Sequence, residues 1–154
     1  MFEKILVCLD GSKFAEHILP YAMELSRQFD SKIVLLRVLD TFPGIAKAMG
    51  EAELVAQEPE PVNITNNEAE AMAYLEGLVA YLEEKELKAE GVIIKGTPGE
   101  SIVSYARQHD IGLIAMVTHG HSSLGRVVSG SITDDVLKKS GIPVLATRPK
   151  ESES

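Results

Sequence analysis

The sequence predicts an α/β fold, a doubly wound five-stranded parallel sheet with helices on both faces. Two observations carry this. Five apolar runs, Ile5–Leu9, Lys32–Val38, Gly91–Lys95, Leu113–Val117 and Pro143–Thr147, have the length of strands, and none alternates as a half-solvated sheet would. Helical patterns fill the gaps, giving the order β-α-β-α-β-α-β-α-β, which calls for right-handed crossovers and parallel strands. The 154 residues suit one domain over 1–149, with Lys150–Ser154 a disordered, solvating acidic tail.

The first run follows Met1-Phe2-Glu3-Lys4 and spans five residues, too few for a signal-peptide core or a membrane span. Phe14, Ile18, Tyr21, Leu25 and Phe29 then recur at three and four residues, the period of one helix face. Pro20 falls inside that helix and cannot donate to the Glu16 carbonyl, so a kink is expected there. After the second run, Thr41–Thr65 is long for a connection. Ile45–Val55 suits a short helix and Gln57–Pro61 a proline-stiffened loop, and both a mobile lid and a simple insertion remain open. The sequon Asn63-Ile64-Thr65 is a coincidence in a chain that is not exported. A second helix begins near Asn66 or Asn67, with Met72, Leu75, Val79 and Leu82 as its stripe. Thr97, Pro98 and Glu100 read as N-cap, N1 and N3 of a third helix, a capping box. Gly130-Ser131 opens the fourth; Lys138 and Lys139 suit its negative end, Gly141 its C′ position, and Pro143 stops it.

A net charge of −8 argues against general nucleic-acid binding and against adhesion to anionic membranes. It leaves room for a local anion site built from backbone dipoles. The single cysteine, Cys8, excludes an intrachain disulfide and fits a reducing, cytoplasmic setting.

Open α/β sheets bind ligands beyond the carboxyl ends of their strands, where the strand order reverses. In the common order 3-2-1-4-5 that point lies between strands 1 and 4. There Leu9-Asp10-Gly11-Ser12 meets the loop Thr118–Ser131, with Val38-Leu39-Asp40 alongside. The small, glycine-bearing loop before a helix N-terminus is a recipe for holding phosphate through backbone N–H groups. Gly120-xxxx-Gly125-Arg126-Val127 is a near miss to a Walker A motif, lacking its lysine and following hydroxyl, and no G-x-G-x-x-G follows a strand. Asp10 reads equally as an acceptor for ribose hydroxyls or an indirect metal ligand, and as a helix cap that Ser12 could supply instead. Cys8 reads as a small buried hydrophobe rather than a nucleophile. His119 and His121 lack the partners of a metal site, and Arg126, His17 and His109 read as surface residues.

At this loop the chain resembles the universal stress protein family, whose nucleotide-binding members carry G-x2-G-x9-G-[ST]. Gly120 matches the second glycine and, nine residues on, Gly130-Ser131 completes the pattern; Val117 stands where the first glycine would be. Ile5–Ser12, Leu35–Val38, Gly96-Thr97-Pro98 and Ile142–Leu145 resemble further family segments in the same order, so the likeness spans the chain. It implies an adenine nucleotide alpha hydrolase-like fold and an ATP or AMP site. Cys8, Leu9 and Val38 would surround the adenine, and Asp10 would accept from the ribose. Gly120, His121, Gly130, Ser131 and Ile132 would hold phosphates, with Val117, Thr118 and His119 completing the loop and Val117 crowding the ribose side. A divalent ion, Mg2+ or Mn2+, would sit on phosphate oxygens rather than on a protein metal site. The resemblance further implies a homodimer through the last strand and a regulatory or signalling role under stress, with an unknown protein partner.

Hydrolysis needs a positioned base and stabilisation of phosphoryl charge, and the loop carries neither carboxylate nor lysine. No catalytic residue is therefore assigned; weak ATP hydrolysis or phosphorylation of Ser129 or Ser131 is a lesser reading. A second class, a dimeric interaction module without nucleotide, is favoured by Val117. A phosphoacceptor receiver would want an acceptor aspartate after strand 3, where Gly96-Thr97-Pro98 offers none.

Overall fold

The computed structural model describes residues 1–40, 61–118 and 129–150, without the side chains of 61–67 and 129–131. The expected Ile45–Val55 helix, the lid-or-insertion segment before Pro61 and the end of the acidic tail lie outside the described residues. Five parallel strands form one sheet: β1 (Lys4–Leu9), β2 (Lys32–Leu39), β3 (Lys88–Lys95), β4 (Leu113–Val117) and β5 (Val144–Thr147). Their order is β3-β2-β1-β4-β5, the predicted reversal beside β1. The helices are α1 (Leu19–Phe29), α2 (Pro61–Glu84), α3 (Pro98–Gln108) and α4 (Ser129–Ser140).

Alternate residues of each central strand enter different cores, which is why those strands read as continuously apolar. Ile5, Val7 and Leu9 join Ile33 and Leu35 under α1 and α2, in a cluster that includes Ala22, Leu75 and Leu82. Leu6, Val34, Leu36 and Ile114 face the other way, toward Ile102 and Ala106 of α3 and Val136 of α4. A fully buried Leu or Ile contributes about 1.5–3 kcal/mol over an exposed one, so the double layer is the main source of stability. Gly91 of β3 lets α2 approach closely, since a Cβ there would lie 3.0 Å from the Leu75 Cβ.

Four local expectations are corrected. Pro20 does not kink a helix: Ala15–Ile18 form a 3-10 turn, and Pro20 falls in the first turn of α1, where a missing N–H leaves no bond unmade. The buried face of this segment is Ala15, Ile18, Leu19, Ala22, Met23 and Ser26, while Tyr21 is 53% and Phe29 52% exposed. The small residues fit against the sheet, and the aromatics lie outward, Phe29 meeting Phe2 edge-to-face at 5.3 Å between centroids. Ser26 tolerates burial because its hydroxyl donates to the Ser31 carbonyl at 2.7 Å. Helix α2 starts at Pro61, before the expected Asn66 or Asn67, since a proline that cannot continue a helix can open one. At α3, Thr97 is the N-cap and Pro98 follows, but Thr97 makes no side-chain cap bond, so the capping box is not formed. Glu100 still sits in the first turn, where its negative charge is attracted by the positive end of the helix dipole.

Strand β3 begins at Lys88, three residues ahead of its apolar run. As an edge strand it carries charge, with Lys32–Glu90 at 2.9 Å and Lys95–Glu68 at 3.0 Å. Such exposed pairs contribute at most about 1 kcal/mol each but keep the edge from pairing with another sheet.

Candidate functional site

The site begins with a ladder that ends early. Strands β1 and β4 pair from Ile5↔Leu113 to Val7↔Ala115, although β1 runs to Leu9 and β4 to Val117. On its other side β1 stays in register with β2 through Leu9↔Arg37, and β4 with β5 through Val117↔Thr147. The sheet therefore parts between β1 and β4 over its last two residues, at the strand-order reversal. Backbone groups there are turned toward the gap rather than toward a neighbouring strand.

The predicted residues divide by face. Cys8, Val38 and Ile132 all pack against the cluster under α3 and α4. Leu9 and Val117 pack on the opposite cluster, under α1 and α2, so what they offer the crevice is main chain. The structure thus brings Cys8, Val38 and Ile132 together on one side and sets Leu9 and Val117 on the other. Burial pushes the Cys8 thiol up to about 12, so it stays protonated at neutral pH, as a core cysteine would.

Asp10 follows β1 and is exposed. Its Oδ1 accepts from the Ser12 N–H at 2.8 Å and from the Ser12 hydroxyl at 2.6 Å. The Ser12 hydroxyl oxygen in turn accepts from the Ala15 N–H at 3.1 Å. Ser12 is thus the side chain that caps the 3-10 turn, and Asp10 braces Ser12. A carboxylate has about four acceptor positions, so Asp10 keeps capacity for a ligand hydroxyl.

At the end of β4 the Thr118 N–H donates to the Thr147 carbonyl at 2.8 Å, fixing where the chain departs from the strand. His119, Gly120 and His121 lie outside the described residues. Gly130 and Ser131 occupy the first turn of α4, which starts at Ser129, one residue earlier than expected. Helix α3 holds α4 in place. Asp135 of α4 lies against Gly99, where a Cβ would be 3.2 Å from the Asp135 Oδ2. Arg107 of α3 donates to the Ser140 carbonyl at 3.5 Å and to the Lys139 carbonyl, satisfying the last turn of α4. Among the described residues, the buried hydroxyls of Thr133 and Thr147 have no hydrogen-bond partner.

Two groups beside Asp10 escaped the sequence reading. The Tyr74 hydroxyl of α2 donates to Glu16 at 2.5 Å. Burial and then Glu16 push the Tyr74 hydroxyl above its ordinary range, with Asp10 adding to the rise and Arg37 opposing it. The Arg37 guanidinium lies on Gly11, whose φ is +90°. A lone arginine inside the apolar run Leu35-Leu36-Arg37-Val38 was the available signal. Among the described residues no group of three or more His, Cys, Asp or Glu side chains could hold a metal ion, and no helix is long and apolar enough to cross a membrane.

Known proteins extend this picture. The Universal stress protein family matches residues 1–148. Universal stress protein MJ0577 of Methanocaldococcus jannaschii is 32% identical over 99% of this chain and 98% of its own. The solved structure of MJ0577 superposes with a TM-score of 0.75, covering 99% of both chains. Two more distant structures share the fold. One is an Arabidopsis thaliana family protein with AMP bound, at TM-score 0.67 and 17% identity over 96% of this chain and 92% of that one. The other is a universal stress protein in complex with cAMP, at 0.64 and 18% over 96% and 97%. Matched over residues 1–148 by the family and along nearly its whole length by a 32% identical relative, with the sheet order β3-β2-β1-β4-β5, this chain belongs to the universal stress protein family.

Proposed function

We propose that this protein binds an adenine nucleotide, ATP or AMP, in the crevice between β1 and β4, and that it acts as a regulatory protein in a stress response. The observation that carries the reading is the early end of the β1–β4 ladder at Val7↔Ala115, beside an exposed Asp10. The gap supplies free main-chain donors and acceptors for a base, and Asp10 an acceptor for ribose. AMP and cAMP in family members of the same fold support a nucleotide of this class.

In this reading Cys8, Leu9 and Val38 border the adenine, the first and last by side chains on one face, Leu9 by its backbone. Gly120, His121, Gly130, Ser131 and Ile132 take the phosphates, with Val117, Thr118 and His119 leading into that loop. The start of α4 suits an anion because its first N–H groups lack intrahelical partners. Mg2+ or Mn2+ would be held by phosphate oxygens, since the loop sequence carries no carboxylate. The loop is equipped to hold phosphate more than to cleave it, so slow hydrolysis or phosphorylation of Ser129 or Ser131 is secondary. Two copies would pair through β5, whose outer edge has no strand partner among the described residues. The protein would work in the cytoplasm, passing its bound state to a partner protein.

The test is mass spectrometry of the natively purified protein for adenine nucleotide, with calorimetry of added ATP and AMP. Binding that Gly130→Val abolishes, with the fold retained, is the expected result. A folded dimer that takes no nucleotide would instead favour the interaction-module reading that Val117 suggests.

A further inference from the structure

Arg37 stands on β2 opposite Leu9 in the β1–β2 register, so it is next to the point where the chain leaves β1 for Asp10 and Gly11. Its neighbours Leu35 and Leu36 fall in opposite cores, and alternation puts Arg37 on the α1/α2 face with Leu35. There its guanidinium meets Gly11: a Cβ on Gly11 would be 2.8 Å from Nη1, 3.1 Å from Cζ and 3.5 Å from Nη2. Three atoms of one planar group at such similar distances mean that the plane is laid against the glycine backbone. Among the described residues Arg37 forms no ion pair, so carboxylate pairing does not explain its position.

Gly11 needs support of this kind. At φ +90° it adopts a conformation that glycine reaches freely but also leaves freely, having no side chain to restrict it. The turn it makes decides where Asp10 points, because Asp10 and Ser12 lock to each other across it. A planar, weakly hydrated guanidinium is suited to lying flat on a backbone, whereas a lysine offers only a point charge. Arg37 also brings positive charge to a neighbourhood holding Asp10, Glu16 and the Tyr74 hydroxyl.

We propose that Arg37 is a positioning residue for the nucleotide crevice: its guanidinium is the floor that holds the Asp10-Gly11-Ser12 turn so that the Asp10 carboxylate meets a ribose. This rests on the nucleotide reading above, and it adds a residue that touches neither base nor phosphate. It gives Arg37 a role in telling a ribose with hydroxyls from one without.

Calorimetry with ATP and with 2′,3′-dideoxyATP tests it on wild type, Arg37→Met and Arg37→Lys. Wild type should favour ATP by about tenfold, the scale of a hydrogen bond to a charged acceptor. Arg37→Met should lose that preference, weakening ATP about tenfold while leaving the dideoxy analogue unchanged; Arg37→Lys should recover only part of it. Loss of affinity for both nucleotides alike would mean generic support and would overturn the proposal, as would a preference unchanged in Arg37→Met. A second measurement needs no ligand. Amide hydrogen exchange at Ser12 should accelerate in Arg37→Met with the β1 amides unchanged, and equal protection at Ser12 would overturn the proposal. If wild type binds neither nucleotide, the nucleotide reading fails while the Ser12 exchange still decides whether Arg37 holds the turn.

Discussion

The Tyr74 hydroxyl and the Glu16 carboxylate, 58 residues apart in sequence, meet at 2.5 Å. The bond ties α2 to the 3-10 turn after β1 and so braces one wall of the crevice. Tyr74→Phe removes the donor and leaves Glu16 to water, at a cost of about 1 kcal/mol, small because both groups are only half-buried. The folded-state pKa of Tyr74 is raised above its reference of 10.0, so this contribution is whole below pH 10 and fades as pH climbs beyond it. Urea unfolding should therefore separate wild type from Tyr74→Phe at pH 8 and bring them together in strong alkali.

Two glycines of the same layer predict opposite signs. At Gly91 an added Cβ would press on the Leu75 Cβ at 3.0 Å, while at Gly77, within α2, it would meet nothing within 4 Å. Gly91→Ala should destabilise by about 1–2 kcal/mol as α2 is levered from the sheet. Gly77→Ala should stabilise by about 0.8 kcal/mol through helix propensity alone. Thermal denaturation of the two variants beside wild type measures both.

Cys8 gives a chemical readout of the crevice floor. Burial holds its thiol at about 12 against an ordinary 9.0, so the reactive thiolate is scarce in the folded protein. Alkylation by iodoacetamide at pH 8 should be more than about tenfold slower in the native state than in urea. The same shift makes the contribution of Cys8 to stability whole below pH 9 and progressively lost as pH rises toward 12.

Leu6 and Leu137 contrast core with surface. Leu6 is fully buried and Leu137 is 59% exposed. Leu6→Ala should cost about 2–5 kcal/mol, and Leu137→Ala less than about 0.5 kcal/mol. Chemical denaturation midpoints with unchanged slopes would verify both.

The sheet was legible because strands buried on both faces must be apolar along their length, and β4 was read to the residue. The first helix misled because its aromatics, Phe14, Tyr21 and Phe29, recur at helical spacing while the sheet accepts the smaller Ala22 and Ser26 instead. Periodicity marks a face but not which face is covered. The start of α2 was hidden because Pro61 closes the stretch Pro59-Glu60-Pro61, which reads as loop until the chain is seen to turn helical after it. At the site, Asp10 and the start of α4 announced themselves through local chemistry. Arg37 and Tyr74 did not, because their meaning depends on Gly11 and Glu16, partners that only the register and the packing of α2 bring near.

The parting of β1 from β4 is made by main-chain hydrogen bonds that are not formed, and no side chain has to be present to open it. A gap of that construction follows from where the β1–β4 ladder stops and not from any one residue. Substitutions of the side chains lining it leave the gap open, because the main chain and not the side chains makes it.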